Sequence, residues 1–104
     1  MTDQDTRAQL SATVAEAALG VPGVAFLRPG LAGLLRTAGR SGPAGVRIGR
    51  ADTDGGDGWT AEVFVVLRQG HRAVDVTRAV RAAVLRAVAD PAAVTVGVTV
   101  TGFA

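Results

Sequence analysis

The chain has 104 residues, enough for one small domain that buries a single core without a metal or a disulfide. It has no cysteine, which excludes disulfides, thiol chemistry and cysteine metal sites. Its 11 basic residues, all arginine, face nine acidic ones, so the net charge is only +2 and the pI near 11 reports which groups titrate, not a strong positive field. The missing lysine, beside abundant Ala, Val, Gly and Arg, reads as the codon bias of a GC-rich genome. The opening MTDQDTRAQL is polar and acidic, unlike a secretory signal, and no apolar run approaches the ~18 residues of a membrane span, so a cytoplasmic protein is expected.

Residues 1–6 are expected to fray, and a helix is expected from Thr6 to Leu19, with Leu10, Val14, Ala17 and Val21 on one stripe. Gly20 to Gly23, GVPG, ends it: glycine suits the cap and proline blocks continuation. VAFL, 24–27, predicts a short strand. The Gly-rich stretch 28–45 predicts a connection with a short amphipathic helix, because Leu31, Leu34 and Leu35 have helical spacing. Strands are predicted at 45–51 and 59–69, joined by the turn DTDGGDG, 52–58. On the second of these, Trp59, Ala61, Val63, Val65 and Leu67 share one face. Thr60, Glu62, Phe64, Val66 and Arg68 share the other, which is not cleanly polar. A helix is predicted over 73–89 with Val76, Val80, Ala83, Val84 and Ala87 inward. Strict Val alternation predicts a last strand over 94–103. The expected fold is α+β, a two-layer sandwich over residues 1–104. Two main helices pack on one face of a mainly antiparallel four-stranded sheet, in the order α-β-short α-β-β-α-β. If the strands flanking the long helix lie parallel, their crossover is expected to be right-handed.

Catalysis needs positioned titratable groups, and the chain offers one histidine, two glutamates and no lysine, tyrosine or cysteine. His71 reads as a turn residue, and Ser11 and Ser41 lie in no nucleophile motif. Asp52, Asp54 and Asp57 miss the EF-hand pattern, because Gly56, Asp57 and Val63 occupy its positions 5, 6 and 12. No catalytic residue, metal ligand or cofactor is therefore expected. With 14 glycines, GxxG pairs recur by chance, and only RPGLAGLLR has arginines beside one, a weak signal for nucleic acid. On the long helix the arginines point away from the core stripe. Val74, Arg78, Arg81 and Leu85 follow one another at spacings of four, three and four, an apolar–Arg–Arg–apolar ridge that suits a protein contact. Phe64 and Val66 mark a second contact surface on the sheet.

Three blocks in order resemble the alkaline shock protein family of Gram-positive bacteria, the envelope stress response proteins. The first is Val14, Ala15, Ala18, Val21, Gly23 and Val24. The second is AEVFVVLRQG followed by Val76, Val80, Val84 and Val88, and the third is VTVGVTVTGF. Gln69 stands where the family usually has tyrosine before the glycine, residues 28–45 do not match, and the charged C-terminal tail of many members is missing. The resemblance implies a non-enzymatic, self-associating α/β scaffold in envelope homeostasis. It would be held at the inner face of the cell membrane by a small membrane-embedded partner. The alternative reading is a small nucleic-acid-binding module using surface arginines.

Overall fold

A computed structural model describes residues 3–28, 45–51 and 58–104. Helix α1 spans Asp3–Leu19, and strands β1, β2 and β3 span Val24–Leu27, Val46–Arg50 and Trp59–Leu67. Helix α2 spans Ala73–Ala87, and after a short 3-10 turn β4 runs over Val94–Phe103. Two helices pack on one face of a mainly antiparallel four-stranded sheet, as expected. The expected short helix and the DTDG turn fall on residues outside those described. The helix begins at Asp3, three residues before the expected start at Thr6.

Strand β3 is the centre. Its inward row is apolar at every second residue, and Ala61, Val63, Val65 and Leu67 are fully buried. β4 lies parallel to it along one edge, from Trp59↔Val94 to Leu67↔Phe103. The 73–87 helix supplies the crossover that a parallel pair requires. The other edge of β3 is shared by β2 over its first half and β1 over its second, both antiparallel.

That shared edge is one strand broken at a single position. Leu27 pairs with Val65 and Val46 with Val63, leaving Phe64 between them. The Phe64 carbonyl accepts from the Arg28 N–H at 3.0 Å, and the Phe64 N–H donates to the Gly45 carbonyl at 2.8 Å. A continuous strand would make both bonds from one residue. Here Arg28 and Gly45 make one each, so the chain leaves the ladder and returns to the same rung. The return is tight: a Cβ on Gly45 would stand 2.8 Å from Leu27 Cβ, at φ +86°.

The core stripe of α2 is Val76, Val80 and Val84, with Ala83 half-buried, as its spacing predicts. Ala87, expected inward, is exposed. The α1 stripe departs further: Ser11, Val14, Ala15 and Ala18 are buried, while Leu10 and Ala17 are only half-buried. With alanine at 12, 15, 17 and 18, residue size does not choose the inward face, and packing against the sheet and α2 does. The GVPG turn also works differently from a glycine cap at Gly20. The left-handed residue is Gly23, at φ 97°. A Cβ there would meet Val76 Cγ2 at 2.8 Å and His71 Nδ1 at 2.9 Å, so this glycine lets the α1–β1 turn seat against the start of α2.

Two outcomes are expected in thermal and chemical denaturation. Gly23→Ala adds both backbone strain and a clash, and should cost roughly 2–4 kcal/mol. By contrast, a chain lacking residues 28–44, with Leu27 joined to Gly45, keeps the ladder register and should fold with a melting temperature within about 5 °C of the parent. Loss of cooperative unfolding in the shortened chain would show that the edge is not one interrupted strand.

Candidate interaction surfaces

The groups that chemistry would need are not assembled. Ser11 is buried in the core-facing side of α1, and His71 is exposed in the turn before α2, against Gly23. Among the described residues no three His, Asp or Glu side chains converge as a metal site would require. A cavity of about 370 Å³ opens between the start of α1 and the end of α2, over Trp59. Its walls include Leu10, Val88 and Val94, with the hydroxyl-bearing Thr6 and Thr13 from α1. This is a mainly aliphatic recess without a cluster of titratable groups. Trp59 itself is 8% exposed, with the Arg50 guanidinium 4.6 Å and the Arg7 guanidinium 5.8 Å from its ring centre.

The ridge on α2 is split by the fold. Val74 is 59% exposed and Arg78 projects into solvent. Arg81 instead turns down to the sheet, where its Nε donates to the Val96 carbonyl of β4 at 3.3 Å. Leu85 is half-buried and packs against the core, so it does not stand on the outer surface as the helical wheel placed it. Helix α2 lies over β4, and its flank toward that strand draws in the lower side chains of the ridge.

The sheet surface is corrected in the same way. Val66 is only 3% exposed and offers almost no area to a partner, contrary to the expected contact. Its ladder partners are Phe26 and Gly102. Beside it, the Thr101 hydroxyl bonds the Arg28 carbonyl at 2.8 Å and tucks β4 toward the end of β1. Phe64 is half-buried. The exposed apolar group on this surface is Phe26, at 42%. Further along, Arg47 and Glu62 face each other across β2 and β3 at 3.7 Å.

Sequence reasoning did not single out the large apolar side chains that the fold leaves exposed. Among the described residues the exposed large apolar side chains are Leu19, Phe26, Val74 and Phe103. Leu19 ends α1, Phe26 pairs near the end of β3, Val74 opens α2 and Phe103 pairs with Leu67. All four lie at the end of the molecule where β3 finishes. Arg68, His71 and Arg72 are exposed at the same end. Leu19 and Phe26 are seven residues apart but lie in a helix and a strand, and Val74 and Phe103 are distant from both, so no single periodicity links the four.

Position 66 and position 74 should therefore respond oppositely. Val66→Ala should destabilise by roughly 1–3 kcal/mol, as a core truncation does, and Val74→Ala should stay within about 0.5 kcal/mol. Urea unfolding of the two variants reads the difference.

No family model, curated protein or solved structure matches the chain.

Proposed function

We propose that this chain is a non-enzymatic, self-associating scaffold of the envelope stress type. In this reading a small membrane-embedded partner recruits it to the inner face of the cell membrane. The observation that carries the reading is the exposure of Leu19, Phe26, Val74 and Phe103 toward the end where β3 finishes. Toward this end Leu19 and Val74 are exposed on the helices and Phe26 on the helix-free face of the sheet, and exposed large apolar side chains of this kind suit protein contacts. The arginines at this end suit a partner with acidic groups beside an apolar segment. The three sequence blocks that resemble the alkaline shock proteins are in keeping with this reading, since they lie in the elements that reach this end. No described helix is long and apolar enough to cross a membrane, so recruitment in this reading goes through the partner.

Four of the described arginines are engaged within the fold, which counts against the nucleic-acid alternative at those positions. Arg7 donates to the Ile48 carbonyl, Arg47 faces Glu62, Arg50 stacks on Trp59 and Arg81 holds the Val96 carbonyl. Each of these commitments would compete with a phosphate contact.

Crosslinking in native cells followed by affinity recovery tests the proposal. A membrane protein should be recovered with the tagged chain, and Val74→Asp should reduce that recovery at least tenfold. An acidic residue in the first turn of a helix is favourable, so this variant keeps its fold. Recovery of ribosomal or nucleoid material that dissociates steeply with salt, or a wholly cytosolic chain on fractionation, would sink the reading.

A further inference from the structure

Strand β4 is ten residues long, and among the described residues no strand pairs with its outer edge. Its sequence, VTVGVTVTGF, has no charge and no proline, so it lacks the common devices that stop an edge from pairing with another chain. The core also thins toward this edge. Val98 and Val100 are half-buried, whereas their β3 partners Val63 and Val65 are fully buried.

The Arg81–Val96 bond shows which backbone groups face outward. Successive residues of a strand turn their N–H and C=O groups to opposite edges. With the Val96 carbonyl held from outside β3 by Arg81, Val94, Val96, Val98 and Val100 form the outward row. That row runs up to the register shift after Val100, where Thr101 is the extra residue.

The stretch from Val94 to Val100, VTVGVTV, reads the same in both directions, with Gly97 at its centre. Among the described residues nothing calls for glycine there. A Cβ on Gly97 would meet no atom within 4 Å, and its φ is not in the left-handed region. Glycine in a strand interior weakens the strand and commonly marks a close approach of another backbone.

We propose that a second copy of this chain docks on this edge, β4 against β4, antiparallel, with Gly97 on the two-fold axis. In that register Val94 of one copy opposes Val100 of the other, Thr95 opposes Thr99, and Val96 opposes Val98. Valine meets valine on the helix-covered face and threonine meets threonine on the other, both favourable cross-strand pairs. The outward rows supply complementary donors and acceptors, and the contact is closed by symmetry, so pairing stops at two copies. Arg81 must release the Val96 carbonyl for the strands to pair and so guards the edge in the single chain. The assignment rests on the edge itself and names the self-contact of the scaffold reading.

Single-cysteine variants of the purified full-length chain test it, since the parent has no cysteine. A non-hydrogen-bonded antiparallel pair brings Cα atoms to about 4.5 Å, within disulfide range. Gly97→Cys should therefore form a covalent dimer under mild oxidation. Thr95→Cys and Thr99→Cys should each stay largely monomeric alone and crosslink when mixed. In sedimentation, Gly97→Lys should weaken dimerisation at least tenfold with an unchanged circular dichroism spectrum, because position 97 is exposed and open in the single chain. Arg81→Ala should strengthen dimerisation several-fold. Failure of Gly97→Cys to crosslink, equal crosslinking by all three variants alone, or a dimer indifferent to Gly97→Lys would each overturn the assignment. None of these outcomes depends on a membrane partner: a purified chain that dimerises through Gly97 keeps the edge even if no such partner is recovered from cells.

Discussion

Every described strand is tied to β3. β1, β2 and β4 are each hydrogen-bonded to it, and among the described residues none of them pairs with another. Its inward side chains carry the centre of the core, so one nine-residue segment supplies both the ladder and the floor on which the helices rest. That arrangement makes the sheet narrow. Among the described residues only three strand positions lie side by side, because β1 and β2 occupy one edge in succession. A sheet this narrow has a large share of edge for its area, and edges are where a small β-containing domain meets other chains.

The rung at Phe64 shows how little the sheet is disturbed by the segment between β1 and β2. Its two backbone bonds are both made, but to residues far apart in sequence. The ladder is satisfied as it would be by an unbroken strand. The glycine at the return is what lets two backbones approach so closely there. Thr101 adds a bond from β4 to the carbonyl of Arg28, the residue after β1, so the exit point is held from the strand on the other edge of β3.

Two surfaces with different chemistry follow from this frame. The end of β3 gathers apolar side chains from both helices and two strands, with arginines beside them, and suits a partner that brings apolar and acidic groups. The outer edge of β4 offers backbone donors and acceptors with an uncharged, self-matching row of valine and threonine, and suits another copy of the same strand. Arg81 links the α2 ridge to that edge, since its guanidinium occupies a carbonyl that strand pairing would use. The ridge thus belongs less to an outer contact face than to the border of the sheet.

The amino-acid sequence by itself determined the elements and their inward faces wherever periodicity was strong. The valines of α2 and β4 and the alternating row of β3 have only one amphipathic reading, because burying their other face would put charge or hydroxyls in the core. Its palindrome around Gly97 was equally present in the sequence, but alternation alone does not say whether a strand is central or at an edge. Tertiary structure decided that, and with it the meaning of the glycine. It also chose the inward face of α1, where alanines make several faces nearly equivalent. Val66 was buried and Phe26 left exposed by the register between strands. The exposed apolar side chains toward the β3 end come from both helices and two strands, so their arrival at one end is a property of topology.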